Sequence, residues 1–141
     1  MHRRVAAFVV IFLGCGILSS QTSPQVKKSP VKETSPNSGK EMYLQYCASC
    51  HGTTGKGDGP AAVALKAAPS NLATLSARNN GAFPEIKVSR IIEGSDELAA
   101  HGSRDMPTWG QVFHQMEGSG AATGKLRVAN LTGYLKSLQA K

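Results

Sequence analysis

The stretch Cys47-Ala48-Ser49-Cys50-His51 carries the most specific chemistry in the chain. Two thiols stand three residues apart, a spacing that brings side chains together on one face of a helix, and an imidazole follows directly. A structural disulfide, a thioredoxin-like redox pair and half of a zinc site are alternative interpretations. A redox pair requires a βαβ context, whereas the flanking sequence is helical and glycine-rich. A zinc site requires a second pair of ligands, and the sequence has no second CxxC or HxxxH motif.

The same motif, CxxCH, is typical of covalent haem attachment. Two thiols one helical turn apart can add to the two vinyl groups of a single porphyrin. The imidazole that follows the second thiol is then placed to take an axial position on the iron. The motif therefore predicts one covalently bound haem c, attached at Cys47 and Cys50, with His51 as proximal ligand.

Over about residues 39–139 the sequence resembles the class I cytochrome c family. Gly39 and Tyr43 stand eight and four positions before the first cysteine of the motif, as the family's first helix requires, and Leu131 and Tyr134 match its last helix. The resemblance implies an all-α fold in which the N- and C-terminal helices cross over a covalently bound haem. Glycine at position 39 would permit the close approach of the two helices.

Apolar periodicity supports helices at two places independently of the resemblance. Residues 84–93 read as a helix that begins near Pro84 and stops at Gly94. A C-terminal helix is indicated by apolar residues at i, i+3, i+7 and i+10, a pattern common to any amphipathic helix: Val128, Leu131, Leu135 and Leu138. Residues 61–67 are expected to form a further short helix.

The segment Met106-Pro107-Thr108-Trp109-Gly110 is similar to the MPxWG motif of many bacterial cytochromes c. The similarity implies that the sulfur of Met106 is the distal axial ligand. Trp109 is expected either to pack on the haem and donate its indole N–H to a propionate, or to be an ordinary core residue. The alternatives for Met106 are a packing role or replacement as ligand by a histidine, His101 or His114. Met42 stands too close to the motif cysteines to reach the opposite face of the haem, and Met116 is followed by an expected surface loop.

A second resemblance concerns the partner of the proximal histidine. The segment at residues 67–72 resembles the part of the family in which a proline carbonyl accepts the Nδ1–H of the haem histidine. This match implies that Pro69 fixes the tautomer and ring plane of His51.

The first 20 residues predict an export signal, with basic residues at positions 3 and 4 and an apolar run over 5–13 that is too short for a stable membrane span. The sequence around Cys15 resembles a bacterial lipobox, which implies that Cys15 becomes a lipidated N-terminus. The alternative is an ordinary signal peptide cut near Gly16 or Ser20. Either outcome predicts export to the periplasmic side of a bacterial membrane.

The remaining chain is predicted to contain a disordered Pro/Ser/Lys tether over residues 21–38 and the cytochrome domain over 39–141. The full chain has a formal net charge of +7, and loss of Arg3 and Arg4 leaves +5. This moderate excess suits redox proteins with an acidic docking face. Nucleic acid is excluded as a partner because export separates the two and no basic run interleaves with aromatic residues.

His/Met ligation would leave no open iron position for a substrate, so the sequence predicts a one-electron carrier rather than an enzyme. Two alternatives remain. A gas-binding or catalytic haem protein would have a displaceable distal ligand, and a dedicated haem subunit would belong to a larger oxidoreductase complex.

Overall fold

The computed structural model describes residues 31–95, 106–116 and 120–140. Over these residues the protein is helical and contains no strand, which confirms the predicted all-α class. The predicted export signal, Cys15 and His101 lie outside the described residues. Within the described ranges no helix is both long enough and apolar enough to cross a membrane.

The described ranges contain five α-helices, with three short 3₁₀ turns in the loops. The α-helices are α1 (Gly39–Tyr46), α2 (Ala48–His51), α3 (Glu85–Glu93), α4 (Trp109–Gln115) and α5 (Ala121–Ser137). The 3₁₀ turns are Ala62–Ala64, Leu72–Thr74 and Ala77–Asn79. The expected helix over 61–67 is thus reduced to a single turn; the side chain of Val63 there is 94% exposed, so no apolar face is buried to extend it.

Local signals define the ends of α1 and α3. The hydroxyl of Ser38 accepts a hydrogen bond from the backbone N–H of Glu41 at 3.2 Å, which caps the N-terminus of α1. Helix α3 ends where predicted, at Gly94. This residue has a φ of 79° and donates its N–H to the carbonyls of Arg90 and Ile91.

Helices α1 and α5 approach each other at Gly39. A Cβ at this position would overlap the carbonyl oxygen of Asn130 and lie 2.8 Å from the Cβ of Tyr134. One turn along α1, the rings of Tyr43 and Tyr134 are in contact, with their centroids 5.4 Å apart. The predicted close approach at Gly39 is therefore present, and only a residue without a side chain fits there.

The core is formed where α5 packs against α1, α3 and α4. The predicted apolar stripe of α5 faces this core: Val128, Leu131 and Leu135 are buried, and Leu138 packs against it from the helix end. The other helices contribute Met42, Tyr43, Tyr46, Ala48, Val88, Ile92, Phe113 and Met116.

The ordered fold begins earlier in the chain than predicted. Residues 31–38, here called the N-terminal strap, were expected to belong to a disordered tether, yet Thr34 is only 7% exposed. The Thr34 hydroxyl accepts a hydrogen bond from Arg127 at 3.2 Å, and the carbonyl of Pro36 accepts one from Asn130 at 2.9 Å. The predicted boundary at residue 38 is wrong because these polar contacts with α5 hold a segment that has almost no apolar residues.

The contact at Gly39 yields a test with a matched control. Gly39→Ala should lower the free energy of unfolding by about 1–3 kcal/mol, because the added methyl group meets the backbone of α5. Gly133→Ala, on the exposed face of α5 with nothing within 4 Å of the new Cβ, should instead be stabilising by up to about 1 kcal/mol. Denaturant unfolding of both variants measures the difference; equal effects of the two substitutions would contradict the packing described.

Candidate functional site

The motif residues lie at the junction of α1 and α2. Helix α1 ends at Tyr46, and the next residue, Cys47, donates its N–H to the Tyr43 carbonyl at 2.9 Å. The chain then turns directly into α2. The N–H groups of Cys50 and His51 both donate to the Cys47 carbonyl, at 3.1 and 2.9 Å. This single tight turn carries both thiols and the imidazole, and no disulfide joins Cys47 to Cys50.

All three motif side chains line one cavity of about 330 Å³. Its wall is mainly apolar and is built from residues that are distant in the sequence. Helices α3, α4 and α5 and the loops between α2 and α3 contribute Leu65, Leu72, Leu75, Val88, Ile91, Ile92, Trp109, Leu131 and Leu135. An apolar cavity with a few convergent polar groups is the usual form of a cofactor site.

The loop after the motif folds back onto α2. The N–H of Gly57 donates to the His51 carbonyl at 2.8 Å, and the N–H of Gly59 donates to the Cys50 carbonyl at 3.1 Å. The hydroxyl of Tyr43 adds a buried hydrogen bond to the carbonyl of Gly52 at 2.5 Å. Burial raises the pKa of Tyr43 to about 12, so its phenol remains a donor at neutral pH. These bonds fix the backbone that carries the thiols and the imidazole.

His51 donates from Nδ1 to the backbone carbonyl of Ser70 at 3.0 Å. The prediction that Pro69 supplies this carbonyl is wrong by one residue. The carbonyl oxygen of Pro69 lies against Gly57 instead, at a distance that leaves no room for a Cβ. Pro69 still lines the cavity.

The hydrogen bond to Ser70 determines which nitrogen of His51 can bind a metal. With Nδ1 as donor, Nε2 carries the free lone pair. Burial lowers the pKa of His51, and the Ser70 carbonyl opposes this shift only in part. The imidazole is therefore neutral at physiological pH, as a metal ligand must be.

The environment of Cys47 disfavours the zinc and redox-pair interpretations. Burial, with a smaller contribution from neighbouring Cys50, raises the pKa of Cys47 to about 12. A zinc ligand or an exchange nucleophile must be a thiolate, which this burial opposes. Among the described residues no cluster of three or more His, Cys, Asp or Glu side chains is present.

Met106 also lines the cavity, together with Pro107. The other methionines of the described chain are placed differently: Met42 is completely buried in the core, and Met116 is 8% exposed and belongs to the same core cluster. His114 is exposed and packs on Gly124 of α5. The structure thus brings the thioether of Met106 to the same cavity as the motif residues.

Trp109 begins α4 and lines the cavity. Its ring stacks on Tyr46 with centroids 5.1 Å apart and an interplanar angle of 28°, and it contacts Phe113 at 5.9 Å. The packing role expected for Trp109 is therefore present, and its hydrogen bond to a propionate stays a prediction. Sequence reasoning did not single out Tyr46, although an aromatic residue directly before the first motif cysteine was a visible signal.

A family model described as "Cytochrome C oxidase, cbb3-type, subunit III" matches residues 34–122. No curated protein and no solved structure matches the chain.

Proposed function

Because the chain belongs to the family described as cytochrome c oxidase, cbb3-type, subunit III, and so to the c-type cytochromes, we propose that it carries single electrons. The proposed carrier group is one haem, bound covalently through Cys47 and Cys50. His51 and Met106 are the proposed axial ligands. One observation carries this proposal: the two thiols, the imidazole and the thioether line the same apolar cavity.

The four candidate ligand side chains and the apolar wall of the cavity both suit a covalently bound haem. Two thiols can form thioether links to its edge, a neutral imidazole with a free Nε2 and a soft thioether suit its iron, and the aliphatic side chains suit an apolar macrocycle. When bound, the haem supplies a reversible one-electron change at iron. The apolar wall, including Leu131 and Leu135, would keep water from the bound group.

The residues around the ligands maintain a fixed geometry. The Ser70 carbonyl holds the ring plane of His51, and the backbone bonds of Gly57 and Gly59 hold the turn that carries it. Pro107 restricts the backbone next to Met106. A thioether ligand favours the reduced state relative to a second imidazole and raises the potential. His51 and Met106 would together leave no iron position for a substrate, so the proposed role is transfer rather than catalysis.

A second candidate function, a haem subunit of a larger oxidase complex, is favoured by the description of the matching family. An exported chain with a lipidated Cys15 would work at the periplasmic face of a membrane, next to membrane-bound redox enzymes. Its basic excess would favour partners with an acidic docking face. Copurification of the full chain with oxidase activity in mild detergent would support the subunit role, whereas recovery of the cytochrome alone would support a free carrier.

Covalent attachment is tested by removing the thiols. The double substitution Cys47→Ser and Cys50→Ser should abolish acid–acetone-resistant haem when the chain is matured in a host competent for cytochrome c. Ser49→Ala, an exposed position between the two cysteines, is the matched control and should retain full haem content. Pigment that resists extraction from the double variant would contradict the proposal.

Distal ligation is tested by carbon monoxide binding to the reduced protein. Met106→Ala should create CO binding that the wild-type protein lacks, because the substitution opens the sixth iron position. Met116→Ala is the control: it should lower the free energy of unfolding by about 2–5 kcal/mol, as buried truncations do, without creating CO binding. Equal CO affinity in the wild-type protein and Met106→Ala would show that Met106 is no ligand and would favour a gas-binding protein.

A further inference from the structure

Arg127 is a charged residue buried under the N-terminal strap. Its side chain, on α5, is 3% exposed. Nη1 donates to the hydroxyl of Thr34 at 3.2 Å, and Nε has no hydrogen-bond partner. Among the described residues no carboxylate pairs with Arg127. Buried arginines are normally paired with an acid, whereas the part of the chain that the structure describes offers Arg127 no counter-charge.

A chain of hydrogen bonds connects this charge to the cavity wall. The Thr34 hydroxyl is 2.9 Å from the hydroxyl of Tyr46, which donates to the Lys32 carbonyl at 2.7 Å. Because Arg127 only donates and the Tyr46 proton is used on Lys32, the Thr34 proton points to Tyr46. Tyr46 lines the cavity and stacks on Trp109. The guanidinium therefore lies two hydrogen bonds from a side chain of the cofactor site.

We propose that Arg127 raises the reduction potential of the site through its buried positive charge, which no carboxylate of the described residues neutralises. This inference rests on the proposed electron-transfer function. Uptake of one electron from a one-electron reductant adds one negative charge to the site, and a nearby positive charge stabilises that state. The effect is stronger in a low-dielectric interior than at the surface, and salt screens it weakly.

A purely structural role for Arg127, holding the strap to α5, predicts a different result. The strap would then loosen when Arg127 is changed, but the potential would depend only on whether the site remains intact. Substitutions of Thr34 distinguish the electrostatic role from the structural one. A carboxylate at this position would keep the hydrogen bond from Arg127 and neutralise its charge. An amide of similar size would keep the bond and leave the charge.

The experiment compares two matched pairs in the full-length holoprotein by equilibrium titration against redox mediators. Arg127→Gln and Thr34→Asp should each lower the equilibrium constant for reduction about tenfold, equivalent to about 59 mV for one electron. Thr34→Asn and Lys125→Gln, which removes an exposed charge on the same helix, should each change it by less than about twofold. The shift in Arg127→Gln should persist at high salt, as expected for a buried charge.

Equal potentials for Thr34→Asp and Thr34→Asn would overturn the inference and leave Arg127 with a structural role. If Arg127→Gln does not fold, equal potentials of the two Thr34 variants still overturn the inference, because both variants keep the arginine. A wild-type holoprotein without a reversible one-electron couple would instead overturn the proposed function, and the inference with it.

Discussion

The close contact of α1 and α5 at Gly39 is the constraint on which the rest of the structure depends. Helix α1 ends in the turn that carries Cys47, Cys50 and His51, and α5 supplies Leu131 and Leu135 to the wall of the same cavity. The distance between the two helices therefore sets the distance between the reactive side chains and the apolar wall. The N-terminal strap reinforces this arrangement, because Thr34 and Pro36 accept hydrogen bonds from side chains of α5.

Within this pair of helices and the loops between them, backbone carbonyls position most of the motif residues. The Cys47 carbonyl accepts from both Cys50 and His51, and the Ser70 carbonyl orients the imidazole. Because the backbone carbonyl of Ser70 is the acceptor, its side chain takes no part in this bond, and the path of the loop sets the orientation of His51. Few polar side chains line the cavity, which suits the large apolar group proposed to bind there.

Local patterns in the sequence were sufficient to predict the motif residues, the segment around Met106 and the apolar face of α5. The CxxCH motif, the MPxWG segment and the apolar stripe of α5 each depend on residues close together in the chain, and the structure brings Met106 to the same cavity as the motif. Three features depend on contacts between distant segments and could not be predicted in this way. Gly57 packs against the Pro69 carbonyl, which leaves the Ser70 carbonyl for His51. The N-terminal strap is held by hydrogen bonds from Arg127 and Asn130 of α5. The same contacts bury Arg127 under the strap.

The central claim is that one haem is covalently held by two thiols, with nitrogen and sulfur as its axial ligands. The absorption spectrum of the purified wild-type holoprotein, recorded oxidised and reduced, tests this claim most directly. The account predicts a low-spin c-type spectrum in both states, with a sulfur-to-iron charge-transfer band in the oxidised form. A high-spin spectrum, or the absence of any haem absorption from protein made in a maturation-competent host, would contradict it.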